Sequence, residues 1–319
     1  MSDSHPPSAR ALSNLRPRDS AGFFYVLLCI VLSVSGIWLS MSSNGAVWVA
    51  GQVILSAAML QWFILLHEAG HKTLFRTKSL NTFFGYIAGF SSGLPFSSWS
   101  IIHFRHHKWT GWQDLDATTA SLVPRKLNKW ERVVINASWR LWIPVFALIY
   151  RFNNYWNYPR LVQFVPKPEQ RRHIAAEIFI LVVAYACVVV LLGPATVLSL
   201  FGLAIVLSLI VQEFLLLSQH THIPTNISHG EDVRPFLPAE QAVFTRSLRF
   251  PSLISRFLLM HFDAHELHHM YVRVPGYDLR KISYETENEV DWWEWARRSK
   301  RLSGETFLFK NRAVTGFSL

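Results

Sequence analysis

Charge and cysteine are the two properties that this sequence has little of. Charged residues occupy 16% of the 319 positions, against roughly 25% in an average soluble domain. A disordered chain is excluded, because half of the residues are hydrophobic and disordered chains combine few apolar residues with many charges. With only two cysteines, a disulfide scaffold and a Cys-ligated zinc or iron–sulfur module are excluded as well.

The missing charges are concentrated in long uninterrupted runs. Residues 21–41, 45–66 and 178–211 contain none. A helix that crosses a bilayer needs ~20 apolar residues, and Gly193 with Pro194 divides the third run at a natural turn. We predict four membrane crossings, near residues 21–41, 45–66, 175–192 and 195–217.

Two further stretches have the composition of membrane-associated rather than spanning segments. Residues 80–102 are uncharged, but they contain many Ser, Thr, Asn and Gly residues and Pro95. In residues 133–150, Arg140 and two Trp lie among aliphatic residues, as expected at headgroup depth. We predict that residues 80–102 are embedded or interfacial and that residues 133–150 are interfacial.

The basic residues determine the predicted topology. Three Lys or Arg precede the first crossing, fifteen lie between residues 67 and 173, and thirteen follow residue 217. Four crossings place all three regions on one side, which the positive-inside rule makes cytoplasmic. The net charge of +10 is therefore a topology signal, and no motif for a nucleic-acid partner accompanies it.

These features predict an all-α, multi-pass membrane protein with four transmembrane helices and a cytoplasmic helical cap. We divide the chain into a flexible cytoplasmic tail (1–20), a membrane domain (21–285) and a cytoplasmic C-terminal segment (286–319). Within the last segment, residues 291–301 mix three Trp with basic residues. They are predicted to form a surface helix that contacts the membrane or a partner protein.

Histidine is abundant, and eight of the 14 His residues form three clusters. On a helix, positions i, i+3 and i+4 share a face, so each cluster directs two or three imidazoles to one point. His261 is a further i−4 partner of the third cluster, and His220 and His222 follow the fourth crossing. Eight or nine imidazoles exceed what one ion uses, which favours two ions of a metal such as iron, zinc, copper or nickel. The clusters are His67 and His71; His103, His106 and His107; and His265, His268 and His269.

Two other functions share part of this pattern. The HEAGH segment matches the HExxH motif of zinc proteases, with Glu68 as general base. A protease would leave the other two clusters unexplained. A metal transporter would be expected to place its ligands inside the spans, which here lack them.

In order and spacing, the segments HEAGHKTLF, HFRHHKWTG, QHTHIP and HELHHMYVRVPGYDLRKI resemble those of the integral-membrane fatty acid desaturase/hydroxylase superfamily. The resemblance covers the chain from the first crossing to about residue 285. It implies a non-haem di-iron centre with O2 as co-substrate, and a carboxylate role for Asp114, Asp116 or Asp263 in orienting a ligand. The implied catalytic and metal-binding residues are His67, His71, His103, His106, His107, His265, His268 and His269. The ninth ligand is expected from the end of the fourth crossing, where His222 or His220 could serve and the sequence does not choose. His261 is implied as a water-linked outer ligand.

The resemblance further implies oxidation of a lipid alkyl chain that enters from the bilayer. Desaturation of an acyl chain is the expected reaction. A hydroxylase, a carotenoid ketolase and an oxidative fatty-acid decarboxylase that forms a 1-alkene are alternatives on the same scaffold. The chain has no haem segment, cysteine cluster or dinucleotide fingerprint, so a separate ferredoxin, rubredoxin or cytochrome b5 is expected to deliver electrons. The basic face would attract such an acidic carrier or anionic lipid headgroups.

Overall fold

A computed structural model of the chain describes residue 12, residues 14–284 and residues 286–319. Most of the predicted flexible tail, residues 1–11 and 13, lies outside the described residues. We number the helices in chain order: α1 Asp19–Ser40, α2 Gly45–His71, α3 Lys78–Ser92, α4 Phe96–Trp109, α5 Lys129–Leu141, α6 Val145–Arg151, α7 Tyr158–Leu161, α8 Pro168–Leu192, α9 Pro194–His220, α10 His265–Met270, α11 Trp292–Ser299, α12 Gly304–Phe309 and α13 Arg312–Thr315.

Shorter elements complete the described structure. Helix α9 contains a π-helical stretch at Leu198–Gly202, and other π-helical turns occur at Phe152–Trp156 and Ile254–Leu258. The 3-10 helices are Ala120–Leu122, Pro238–Phe244 and Gly276–Lys281. Strands β1 Leu248–Arg249 and β2 Val290–Asp291 pair in parallel, with Leu248 opposite Val290. The predicted all-α class is confirmed, with this two-stranded ladder as a small addition.

Among the described residues, four helices are long and apolar enough to cross a membrane, namely α1, α2, α8 and α9. This confirms the prediction of a multi-pass membrane protein with four crossings. The bent pair Lys129–Leu141 and Val145–Trp156 would be a fifth if it counted as one span. Helix α8 displays its apolar side chains openly, with Val190 81% and Leu191 82% exposed. Such a surface is costly in water and is favourable against lipid.

The described residues divide into two compact units. One unit, here the membrane unit, comprises Pro17–Ile102 and Ala147–Gln212. The other, here the histidine unit, comprises His103–Phe146 and Glu213–Leu319 with the described residues of Met1–Arg16.

In the membrane unit, glycines let α1 and α2 pack closely. A Cβ atom on Gly36 would lie 2.8 Å from the Leu55 backbone nitrogen, and one on Gly51 would lie 2.5 Å from that of Ser40. Small residues at helix contacts allow this approach inside a membrane. Asn44 begins α2 by accepting hydrogen bonds from the amides of Ala46 and Val47. The hairpin is therefore tight, as its short connection predicts.

Gln52 satisfies backbone groups that the π-helical stretch of α9 leaves free. Its Nε2 donates to Leu200 O at 2.8 Å and to Ser40 Oγ at 2.8 Å. Its Oε1 accepts from Ala204 N at 2.9 Å. Because hydrocarbon offers no water to bind these groups, an internal partner must replace it. Together with Trp48, whose Nε1 donates to Ser199 O at 3.0 Å, this side chain therefore holds α2 against the irregular part of α9.

Replacing Gln52 with Leu is expected to destabilise the protein by about 1–2 kcal/mol, the usual cost of interhelical polar contacts in membranes. The variant leaves Leu200 O and Ala204 N without their partner. Thermal unfolding in detergent measures the loss. Val53→Leu, on the half-exposed face of the same helix, is the control and is expected to unfold like the wild type. Equal stability of Gln52→Leu would contradict the assigned role.

The connection between α3 and α4, within residues 80–102, has its backbone groups bound by side chains. Glu177 of α8 accepts from Phe96 N at 2.6 Å and from Ser97 N at 3.0 Å. Glu177 lies about 14 Å along α8 from the first residue of that helix. A hairpin embedded in the membrane requires such internal partners for its backbone groups. The hydrogen bonds are therefore consistent with the embedding of residues 80–102, which stays a prediction. The carbonyl bonds are Tyr185 Oη to Phe90 O, Arg151 to Ser92 O, and Trp156 Nε1 to Gly93 O.

The core of the histidine unit is built largely from aromatic residues. Trp139 of α5 stacks on Phe307 of α12 with ring centroids 4.3 Å apart. Trp295 of α11 is fully buried beside the same ring, whereas Trp293 is 61% exposed. The predicted helix within residues 291–301 is thus present, and one of its three Trp residues belongs to the core rather than to a contact surface.

Candidate metal centre

Four imidazoles of the histidine unit converge on one point. His106 lies in the last turn of α4, His220 ends α9, and His265 and His269 lie one turn apart on α10. Their ligand atoms all lie within 4.8 Å of one another. His220 Nε2 is 3.1 Å from His106 Nε2 and 2.8 Å from His265 Nε2. His269 Nε2 is 3.1 Å from His265 Nε2. We call these residues the four-histidine group.

In three of the four rings the opposite nitrogen contacts a hydrogen-bond acceptor, whereas His265 Nδ1 is buried without a hydrogen-bond partner among the described residues. His106 Nδ1 is 2.7 Å from Asp116 Oδ2, and His269 Nδ1 is 2.9 Å from Gln241 Oε1. His220 Nδ1 is 3.4 Å from Phe244 O. Each of these Nδ1 atoms therefore carries the proton and donates it, which leaves Nε2 with a bare lone pair.

Lone pairs that face one another at about 3 Å repel unless a cation lies between them. Neutral imidazoles with a hydrogen-bonded Nδ1 and a free Nε2 form the usual donor set for a transition metal. The four-histidine group therefore fits a metal ion, for which its Nε2 atoms would be the ligand atoms.

Burial, followed by repulsion from neighbouring imidazoles, lowers the pKa of His265 and His269 well below the ordinary value of 6.5. Both rings are thus neutral and able to bind metal at neutral pH. At Asp116, burial disfavours the charged carboxylate, but the His106 ring and the Thr118 amide outweigh it and the net pKa is lowered. A negative charge therefore sits behind His106 and increases its basicity as a ligand.

The metal-free protein is expected to lose stability as the pH falls below about 6.5. In that range the unfolded chain takes up protons on His265 and His269, whereas the folded chain does not, so acid favours unfolding. Each group contributes about 1.4 kcal/mol per pH unit down to its folded pKa. Thermal unfolding of the metal-stripped protein near neutrality and about one unit below 6.5 measures this. Equal midpoints would be contrary to two buried neutral imidazoles.

Three more imidazoles of the histidine unit lie side by side. His107 Nε2 is 3.0 Å from His103 Nε2 and 3.0 Å from His268 Nε2. All six histidines of the second and third clusters thus lie within the histidine unit, together with His220.

The first cluster belongs to the membrane unit and forms the last turn of α2. The rings of His67 and His71 lie with centroids 4.7 Å apart. The intervening Gly70 is required because a Cβ atom there would collide with the ring of Trp99. The crossing predicted to end near residue 66 therefore continues as helix to His71.

Glu68 is oriented toward its own cluster. Its Oε1 is 3.1 Å from His67 Nδ1, and its Oε2 accepts from Thr73 Oγ1 at 2.8 Å. The side chain is buried. A protease general base would have to face water on an open metal position. Glu68 instead fixes an imidazole, which disfavours the HExxH protease alternative.

The structure corrects the placement of His222 in the predicted ligand set. Its φ is +63°, and its ring contacts Lys310 O at 2.8 Å, Phe317 O at 3.1 Å and Thr315 Oγ1 at 3.0 Å. His222 thus anchors the C-terminal segment, and His220 takes the position in the four-histidine group.

His261 was predicted as an i−4 partner of His265, and this is wrong. Helix α10 begins only at His265, and His261 has a φ of +59°. Its Nδ1 contacts Ser255 Oγ at 2.8 Å. Helical spacing therefore does not apply to it, and it is not among the four-histidine group.

The three aspartates predicted to orient a ligand have different partners in the structure. Of these three, Asp116 is the one for which the described residues show a contact with a cluster imidazole. Asp114 accepts from the amide and hydroxyl of Ser228, which is the role of a turn residue. Asp263 binds Ser255 Oγ at 2.8 Å and Arg280 at 2.7 Å. Gln241, which orients His269, was not predicted, because it lies 28 residues before that ligand in no recognisable motif.

Comparison of the sequence with known proteins identifies its family. A protein-family model described as fatty acid desaturase matches residues 43–299 of this chain. An sn-1 acyl-lipid omega-3 desaturase (ferredoxin) from Synechocystis sp. is 28% identical over 235 residues, which is 69% of this chain and 62% of that protein. An sn-1 oleoyl-lipid 12-desaturase from Picosynechococcus sp. is 23% identical over 75% of this chain and 68% of that protein.

A shorter match joins this chain to a fungal protein. A Delta(12) fatty acid desaturase from Mortierella isabellina is 34% identical over 64 residues, or 20% of this chain and 16% of that protein. The match to the Synechocystis relative covers 62% of that protein, so this chain spans less than two thirds of its length.

Proposed function

This chain belongs to the fatty acid desaturase family, and we propose that it desaturates a lipid-linked acyl chain at a centre of two iron ions. In the balanced reaction, a CH2–CH2 unit of the chain, O2, two electrons and two protons yield CH=CH and two molecules of water. The protein is accordingly a membrane oxidoreductase.

The observation that carries this proposal is the four-histidine group, whose Nε2 atoms face one another while three of its four Nδ1 atoms are hydrogen-bonded. Imidazole suits iron, and no carboxylate lies among these ligand atoms. The proposed ligand set of the two ions is that of the three clusters with His220 as the ninth member: His67, His71, His103, His106, His107, His220, His265, His268 and His269.

An unactivated alkyl chain offers nothing for an acid, base or nucleophile to attack. Bound iron would supply the reduction of O2 and the oxidising power for the C–H bonds, and the protein would supply ligand geometry, substrate orientation and exclusion of water. The residues of this chain contribute through Asp116 and Gln241, which hold the Nδ1 protons of His106 and His269 and keep the ligand nitrogens turned inward.

The substrate and the electron donor are inferred from relatives and from charge. Two relatives are named acyl-lipid or oleoyl-lipid desaturases, and one name includes ferredoxin. This supports a membrane glycerolipid as the carrier of the acyl chain and a ferredoxin as donor, with rubredoxin and cytochrome b5 as alternatives. The distribution of Lys and Arg supports a cytoplasmic active site and cytoplasmic termini.

The test combines metal analysis with lipid mass spectrometry. Wild-type protein is expressed with a ferredoxin and its reductase, and bound iron and membrane lipids are measured; His106→Ala is the inactive control. Two irons per chain and lipids that lack two hydrogens support the proposal. Gain of one oxygen identifies a hydroxylase, and a shortened terminal alkene identifies a decarboxylase. A single zinc, or unchanged lipids in the presence of a competent donor, contradicts it.

A further inference from the structure

Gln241 lies outside all three histidine clusters but between two of them. It belongs to the 3-10 helix Pro238–Phe244, and its side chain is buried. Its Oε1 is 2.9 Å from His269 Nδ1. Its Nε2 donates to His107 O at 2.8 Å and to Phe236 O at 3.3 Å.

The orientation of this amide follows from its partners. Carbonyl oxygens only accept hydrogen bonds, so the atom that faces His107 O and Phe236 O must be the amide nitrogen. The amide oxygen then faces His269 and can only accept. His269 must therefore donate from Nδ1, which leaves its Nε2 unprotonated and directed toward His265 Nε2 at 3.1 Å.

The same amide joins two elements that the sequence keeps far apart. His107 lies in the last turn of α4, and His269 lies on α10. One side chain thus fixes the tautomer of a ring in the third cluster and holds it to the backbone of the second. A residue with only a donor, or only an acceptor, could not make both contacts.

The acceptors behind the imidazoles differ in charge. His106 is backed by the carboxylate of Asp116, whereas His269 is backed by a neutral amide. A carboxylate acceptor increases the electron donation of an imidazole ligand more than an amide does. Gln241 therefore orients His269 without adding a second negative charge to the group.

We propose that Gln241 is a positioning residue of the metal centre, which fixes the tautomer of His269 and ties the third cluster to the second. The inference rests on the proposed function, because it requires that the four-histidine group binds iron. It predicts that metal affinity depends on the two ends of one buried amide.

The experiment titrates Fe2+ anaerobically into metal-free full-length protein in lipid nanodiscs, against a chromophoric chelator. Gln241→Met keeps the shape and removes both polar ends, and its affinity for one of the two ions is expected to fall 10- to 100-fold. Gln241→Glu keeps an acceptor for His269 but loses the donor to His107 O, so its affinity is expected to lie between those of Gln241→Met and the wild type. Gln113→Met is the matched control. It removes an amide that donates to Leu122 O at 2.9 Å in the same unit, and its Fe2+ affinity is expected to stay unchanged.

A second readout separates positioning from general stability. In Gln241→Glu, a carboxylate replaces the amide behind His269, so the midpoint potential of one iron is expected to move to a more negative value. An unchanged potential together with wild-type affinity in Gln241→Met would overturn the role of Gln241. If Gln241→Met does not fold, the potential of Gln241→Glu alone decides. Wild-type protein that binds no Fe2+ would instead overturn the proposed function itself.

Discussion

Replacing His220 with Ala is expected to abolish lipid oxidation and to remove about half of the bound iron, whereas His222→Ala keeps both. His220 Nε2 faces His106 and His265 at 3.1 and 2.8 Å, so its loss opens the ligand set of one ion. Both ring nitrogens of His222 are engaged with the C-terminal segment. His222→Ala is therefore expected to cost about 1–2 kcal/mol of stability with no loss of metal.

The pair is informative because the two residues are separated by one position and carry the same side chain. Iron per chain, product formation and the thermal midpoint are measured on both variants in the same membrane preparation. The opposite pattern, with iron lost from His222→Ala and retained in His220→Ala, would show that the four-histidine group is not the ligand set.

The sequence could not choose between His220 and His222 because the difference is a backbone one. Helix α9 ends at His220, which keeps its ring on the inner face of the last turn. Two residues later the backbone adopts a φ of +63° at His222, which turns the ring toward Lys310. Positive φ is uncommon for residues other than glycine, so no sequence rule predicts it here. His261 has the same backbone conformation, which is why the prediction that it shares a helix face with His265 was wrong.

The crossings and the three clusters were predictable because their signals are local and repeated. A charge-free run predicts a span on composition alone, and H-x3-H or H-x2-H-H spacing defines a helix face. Contacts between distant segments carry no such signal. Gln241 and Asp116 are equally buried polar residues in the fold, but only Asp116 was predicted, since it closely follows the second cluster in the chain.

Replacing Asp116 with Ala is expected to weaken iron binding 10- to 100-fold, whereas Asp114→Ala leaves it unchanged. Asp116 is buried, and its Oδ2 holds His106 Nδ1 at 2.7 Å while Oδ1 accepts from the Thr118 amide at 2.9 Å. Without the carboxylate, His106 loses the charge that strengthens Nε2 as a ligand and the shorter of its two Nδ1 contacts, which leaves the Thr118 hydroxyl at 3.1 Å. Asp114 lies two positions away but binds Ser228, so its loss affects only the loop.

Asp116→Asn separates the two contributions of that carboxylate. The amide oxygen of Asn can still accept from His106 Nδ1, so the tautomer survives while the negative charge is lost. The affinity of Asp116→Asn for Fe2+ is therefore expected to lie between those of the wild type and Asp116→Ala, with a more positive midpoint potential for the affected iron. Chelator competition and redox titration on the three proteins measure this order. If Asp116→Ala and Asp114→Ala bound Fe2+ equally well, the carboxylate behind His106 would have no part in the metal centre, and the Nε2 lone pairs would have to be directed by packing alone.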